Sequence, residues 1–151
     1  MLKGRHYPMI VGLLLATLLV TGCAGRIQIT YADSDRSLSG AMLGDALADV
    51  AIPQFYGTPV ADAADLRSQS LTALREKGES QSELADLLTR SFPAEARSVP
   101  YYFEEATVDG REAWIVAEVW GSEGGDLNNG RIWAFDRASG DIIASTTLPL
   151  R

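Results

Sequence analysis

The apolar residues change from helical spacing to alternation in the second half of the chain, and this change constrains the fold more than any other feature. Apolar and polar residues alternate along residues 101–108 and along residues 112–120. Asp109-Gly110, a dipeptide typical of a tight hairpin turn, lies between these two segments. Residues 131–136 and 141–147 alternate in the same way. The sequence therefore predicts a four-stranded antiparallel meander.

Three segments before these strands place apolar residues at helical spacing, namely residues 40–50, 62–77 and 80–91. Ser80 followed by Glu83 matches a capping box at the start of the third segment, which Pro93 ends. Helices followed by an antiparallel sheet define the α+β class. We expect two to three N-terminal helices packed on the four-stranded meander.

The N-terminus has the parts of a secretory signal: a basic start, an apolar run over residues 9–20 and a small-residue junction. The run is shorter than the roughly 20 residues that span a membrane. Its end, Val20-Thr21-Gly22-Cys23, resembles the lipobox of bacterial lipoproteins. The resemblance implies that residues 1–22 are a lipoprotein signal peptide and that Cys23 becomes the lipidated first residue. The alternative is an ordinary secretory signal with a chance cysteine.

Lipidation on Cys23 predicts a protein tied to the cell envelope, because two or more acyl chains give stable anchoring. Ala24 follows the cysteine, which resembles the pattern sorted to the outer membrane and implies a domain facing the periplasm. Residues 23–39 include a polar stretch and predict a lipid-anchored tether. Residues 40–151 remain for a single α+β domain.

The net charge limits the classes of partner that the protein can bind. The chain carries a net charge of −7, which falls to −9 when Lys3 and Arg5 leave with the signal peptide. An acidic surface argues against nucleic acid and against electrostatic binding to anionic lipids. We therefore expect contact with the membrane through the lipid alone.

The scarcity of cysteine and histidine excludes whole classes of chemistry. Cys23 is the only cysteine and His6 the only histidine, and the latter lies in the signal peptide. A mature domain without free thiol or imidazole has no disulfide, no Ser-His or Cys-His nucleophile pair and no His/Cys zinc site. No nucleotide-binding glycine motif occurs either, so we expect no cofactor.

Strand alternation assigns side chains to the two faces of the sheet. One face is small and aliphatic, with Ile115, Ala117 and Val119, and suits a packed helix. The other carries Trp114, Glu118, Trp120, Trp133 and Phe135. This aromatic face is the candidate binding face, since tryptophan dominates interface energetics. The alternative is that the helix of residues 40–50 covers it as a second core layer, and this interpretation is favoured.

Two oxygen-rich places in the sequence are candidate chemical sites. In the glycine-rich loop of residues 121–130, Asp126 and Asn128 suggest the start of a calcium loop. Arg131 and Arg137 occupy the places where such a loop needs glycine and glutamate, which favours a mobile hairpin connection. We expect no metal here.

Glutamates on the first two predicted strands are the other candidates: Glu104, Glu105, Glu112 and Glu118. Paired carboxylates can act as acid and base, and Glu118 between two tryptophans is the best placed of them. Pairing with Arg111 or Arg131 is the alternative interpretation. We expect no catalytic residue.

Residues 131–143 read as a strand that ends in Asp136, a small-residue turn with Ser139 and Gly140, and an aliphatic pair. Together with the preceding strand of residues 112–120, this order of strands and turn is similar to that of the PepSY domain family of secreted bacterial proteins. The resemblance covers about 50 residues and implies a helix before a small antiparallel sheet. It also implies a binding or protease-modulating module without catalysis.

The sequence thus predicts an envelope-anchored, non-catalytic binding or accessory module with an envelope protein partner. Two alternatives stay open: a structural, self-associating envelope lipoprotein, and a carboxylate-dependent enzyme acting on envelope polysaccharide.

Overall fold

The structure, a computed structural model, describes residues 27–93, 96–148 and 150. Within these ranges the chain forms five strands, two α-helices and two 3₁₀ helices, Gly40–Leu47 and Val60–Asp62. The strands and α-helices, in chain order, are β1 (Thr30–Leu38), α1 (Ala63–Arg75), α2 (Glu79–Ser91), β2 (Ser98–Val108), β3 (Arg111–Trp120), β4 (Asn129–Asp136) and β5 (Ile142–Leu148).

The sheet is five-stranded and mixed, which corrects the predicted four-stranded antiparallel meander. Strands β2 to β5 form an antiparallel meander, but β1 adds to β2 as a parallel neighbour, giving the order β1-β2-β3-β4-β5. The polar stretch of residues 32–39, predicted as linker, lies largely within this extra strand. Its polar side chains were misleading because several of them bond to β2: Ser34 and Arg36 both donate to Glu104.

The turns that join β2 to β3 and β4 to β5 were predicted correctly. Asp109 and Gly110 join β2 to β3, and both have positive φ angles, 49° and 78°, as a two-residue hairpin of this type requires. At the β4–β5 turn, Asp136 Oδ1 accepts the backbone N–H groups of Ala138 and Ser139. The chain then reverses at Gly140, whose φ is 75°.

The helices lie in the predicted segments, but they follow β1 and so do not precede the whole sheet as predicted. Two further corrections concern their ends. The first segment is a 3₁₀ helix that stops at Leu47, not an α-helix reaching residue 50. α2 begins after Gly78, so Ser80 lies inside the helix and does not cap it. The Ser80 hydroxyl donates instead to Glu105 on β2. A tertiary contact therefore replaces the predicted capping box.

The sheet faces were assigned correctly, but the helix predicted to cover the aromatic face, residues 40–50, lies on the aliphatic face instead. The 3₁₀ helix Gly40–Leu47 packs Leu43 and Ala46 on the aliphatic face. The aromatic face is covered by α1 and α2, which bring leucines against it. The members of this second layer are Leu71, Leu74, Leu84, Leu87, Leu88, Phe103, Trp114, Val116 and Phe135.

Candidate interaction site

The α1–α2 pair divides the predicted binding face into a covered part and an open part. Trp114 and Phe135 are only 5% and 1% exposed and belong to the core beneath the helices. Trp120 and Trp133 lie beyond the helices and are half-buried. The structure therefore leaves a smaller surface than the sequence predicted, at the end of the sheet where β3 finishes and β4 begins.

Arginine joins these two tryptophans into a layered arrangement. The Arg131 guanidinium carbon lies 4.6 Å from the ring centroid of Trp133 and 5.7 Å from that of Trp120. Such distances are within the range of cation–π attraction. We call Trp120, Arg131 and Trp133 the tryptophan–arginine stack. Sequence reasoning found both tryptophans but treated Arg131 only as a partner for a carboxylate.

Glu118 holds the stack in place from the sheet. It pairs with Arg131 on the neighbouring strand and is 2% exposed. Its Oε1 accepts from Arg131 Nε at 2.8 Å and from Trp133 Nε1 at 3.0 Å. The carboxylate predicted as the best acid–base candidate is thus bonded to two members of the stack. It restricts their rotamers before any partner arrives.

Packing supports the stack from the helix side. Trp133 contacts Phe92 and Phe135, with ring centroids 5.2 Å and 6.1 Å apart. Trp120 is held less firmly, because its Nε1 is buried and has no hydrogen-bond acceptor within the described part of the chain. The two tryptophans therefore differ: Trp133 is anchored by both packing and hydrogen bonding, whereas Trp120 makes no bond through its indole nitrogen.

Arg67 on α1 lies behind this site and was not anticipated. It is 3% exposed and donates to the carbonyl oxygens of Leu88, Phe92 and Ser98, at 3.0, 2.9 and 3.3 Å. Burial lowers the pKa of Arg67, while the Glu118 charge opposes that shift. From sequence alone, an arginine in a helical segment is expected to be exposed. No local pattern therefore indicated that Arg67 connects the end of α2 to β2 through hydrogen bonds.

Two further polar clusters organise β1, one on each face of the sheet. Glu104 is fully buried on the aliphatic side and accepts from Arg36 Nε at 2.8 Å and from Tyr102 Oη at 2.7 Å. On the helix side, Glu105 pairs with Arg137 Nη1 at 2.8 Å and accepts from Tyr31 Oη at 3.1 Å. Both glutamates, which the sequence offered as acid–base candidates, are thus bonded to arginines.

Burial also shifts pKa values in the Glu104 cluster. Desolvation alone raises the pKa of Glu104, but hydrogen bonds from Arg36, Ser34 and Tyr102 outweigh it and hold that pKa below its ordinary value. Burial and the neighbouring carboxylate raise the pKa of Tyr102 far above its usual value. The cluster therefore contains an ionised Glu104 and a neutral Tyr102 at neutral pH.

The glycine-rich loop is anchored and is not a free connection. Leu127 is completely buried, and its N–H and carbonyl bond to Thr58 O and Gly57 N, each at 2.8 Å. A Cβ at Gly121 would approach Asp126 O to 2.2 Å, so this position needs glycine. Within the described ranges, no group of three or more His, Cys, Asp or Glu side chains is arranged to hold a metal ion.

Several expectations fall on residues that the structure does not describe. Residues 1–22, which are predicted to be a signal peptide, and Cys23 lie outside the described residues, as does the first part of the predicted tether. Among the helices of residues 27–93 and 96–148, none has the length and apolar character needed to cross a membrane.

Comparison with known protein families, with curated proteins and with solved structures finds no match to this chain. The lipobox and the PepSY resemblance therefore stay predictions, and the function is argued from the site itself.

Proposed function

We propose that this protein is an envelope-anchored lipoprotein that acts as a non-catalytic binding or accessory module. Lipid on Cys23 holds it to the membrane, in the outer membrane facing the periplasm of a Gram-negative host. The tryptophan–arginine stack is its contact surface for an envelope protein.

One observation carries the proposal: Arg131 lies between two half-buried tryptophans and is fixed from below by Glu118. Tryptophan and arginine are the residue types enriched among binding hot spots. An arginine that is already ordered loses little side-chain entropy on binding. The stack is thus a preorganised surface.

The chemistry of the stack limits the partner. Its Arg131 side chain is 30% exposed in an acidic chain, between two indole rings. Such a surface favours an apolar or aromatic side chain beside a carboxylate, which meets the free edge of the guanidinium. We propose a protein partner that presents these two groups next to each other.

The glutamates support the non-catalytic part of the proposal. Glu104, Glu105 and Glu118 each pair with an arginine, namely Arg36, Arg137 and Arg131. Each of these carboxylates already bonds to a guanidinium, so it is not free to contact a substrate. Their placement favours a structural role in ordering the sheet.

The test compares full-length, lipidated wild type with Trp120→Ala in a crosslinking pulldown from native membranes. Trp120 is the right position because its Nε1 makes no hydrogen bond, so truncation removes contact area without leaving an acceptor unpaired. We expect the variant to bind the captured partner roughly thirtyfold more weakly, as the loss of a hot-spot side chain predicts.

Tyr56→Ala is the matched control, since Tyr56 is also a partly exposed aromatic residue and is not a member of the stack. It should capture the partner as wild type does. Circular dichroism checks that both variants fold. If folded Trp120→Ala captures the same partner with unchanged affinity, the stack is not the contact surface.

A further inference from the structure

The two edges of the sheet differ in how they are protected. β1 and β5 are the outer strands, and an outer strand presents unpaired N–H and C=O groups on which another strand can pair. Folded proteins usually block such edges with charged residues, bulges or covering segments.

The β1 edge is protected. Asp33, Asp35 and Arg36 place charges along it, and the register with β2 shifts between Asp33 and Ser37. A second strand added here would meet carboxylates and an irregular ladder. Two copies paired through β1 would also bring aspartates of the same sign together.

The β5 edge lacks charge. Ile142–Leu148 contains no charged residue and is rich in the β-branched residues that favour strands. Its one irregularity lies near its start, between Ala134 and Phe135 of β4, and residues 144–148 keep a regular register. Among the described strands, β5 pairs only with β4. Within the described part of the chain, the other edge of residues 144–148 makes no backbone hydrogen bond, although the 3₁₀ helix Gly40–Leu47 contacts this strand.

We propose that a second copy of this chain pairs antiparallel along residues 144–148, with a two-fold axis at Thr146. Ala144 then lies opposite residue 148, Ser145 opposite Thr147, and Thr146 opposite its own copy. The result is one continuous ten-stranded sheet, twice the five strands of one chain. Two-fold pairing of identical surfaces is the commonest form of oligomer.

An uncharged edge is suited to a second copy, because charge on an edge strand is the device that keeps identical edges apart. The chain has a net charge of −7, so most self-contacts bring like charges together. Antiparallel pairing over residues 144–148 places no charged residue opposite another. The uncharged edge is therefore suited to self-pairing in a way that the β1 edge is not. The proposal is independent of the tryptophan–arginine stack, which Thr146 does not belong to.

The experiment uses charge at the symmetry axis. Thr146 is exposed, and its copy in the pair would lie about 4.5–5.5 Å away between Cβ atoms. Thr146→Asp and Thr146→Lys each place like charges opposite one another, whereas a mixture of the two places opposite charges there. Full-length wild type and both variants are measured in detergent by sedimentation equilibrium.

We expect wild type to dimerise, and each variant alone to self-associate roughly tenfold or more weakly. An equimolar mixture of the two variants should recover dimerisation, which also shows that both are folded. Ser37→Asp places the same charge on the β1 edge and should dimerise as wild type does. A monomeric wild type, a dimer that survives Thr146→Asp, or a mixture that fails to recover each overturns the proposal.

Discussion

Single residues in this protein act mainly through ion pairs that cross between strands. Glu104 is the clearest case, because it is fully buried and yet bonded to Arg36, Ser34 and Tyr102. A buried carboxylate is stable only when such partners replace water. Arg36 also donates to Ala46 O, so this one cluster joins β1, β2 and the 3₁₀ helix Gly40–Leu47.

The Glu104 cluster predicts a specific dependence of stability on pH. The pKa of Glu104 is lowered from its ordinary value of 4.5, so its contribution is present above that pH and is lost as the pH falls through the lowered value. Glu104→Gln should reduce the free energy of unfolding at pH 7 by about 1.5–3 kcal/mol. The difference from wild type should shrink as the pH falls below about 4.5, and it should be lost once the pH reaches the lowered pKa of folded Glu104.

Urea unfolding of the full chain between pH 3 and pH 7 measures this effect. Glu112→Gln is the control, because Glu112 is an exposed glutamate of the same sheet, and it should behave as wild type. A destabilisation by Glu104→Gln that stays constant down to the lowest pH would contradict the role assigned to the charge.

At the scale of elements, the connection between β3 and β4 behaves as part of the core. Leu127 fills the aliphatic cluster, and the isolated bridge between Pro59 and Asp126 ties the loop to the segment before α1. Composition alone suggested a mobile connection, since glycine and asparagine dominate it. The single leucine among them decides otherwise because its burial fixes the loop around it.

Leu127→Ala should therefore destabilise the fold by about 2–5 kcal/mol, as truncation of a fully buried leucine does. Thermal unfolding followed by circular dichroism measures it. Ser122→Ala, an exposed substitution in the same loop, should leave the midpoint near that of wild type. An unchanged midpoint for Leu127→Ala would mean that the loop is not anchored in solution.

For the whole molecule, the proposed attachment depends on one sulfur atom. If Cys23 is lipidated, the protein fractionates with membranes and carries acyl chains. Cys23→Ser should then lose acyl label and leave the envelope membrane fraction, because the resemblance to lipoproteins rests on this residue. Metabolic labelling with a fatty acid and intact-mass analysis of the product measure both. Ala24→Ser, the neighbouring control, should keep the label.

A wild type without acyl label, or a label that survives Cys23→Ser, would contradict the proposed anchor. An ordinary secretory signal, the alternative that the sequence leaves open, predicts no label on either protein.

Local patterns determined much of this protein. Strands β2 to β5, both α-helices, the Asp109-Gly110 hairpin and the division of the sheet into aliphatic and aromatic faces were all predicted. Each depends on the spacing of neighbouring residues, which alternation and turn chemistry specify without reference to distant parts of the chain. For the candidate site, the sequence predicted that the tryptophans share one face of the sheet, but it did not predict which of them are exposed.

Tertiary structure decided the remainder. Polar residues made β1 look like a tether, and only pairing with Glu104 and Glu105 on β2 turns that segment into a strand. The choice of which helices cover which face, and hence the exposure of Trp120 and the burial of Trp114, depends on contacts between residues far apart in sequence. Such contacts are selected by the combined packing of the whole chain, so no single segment encodes them.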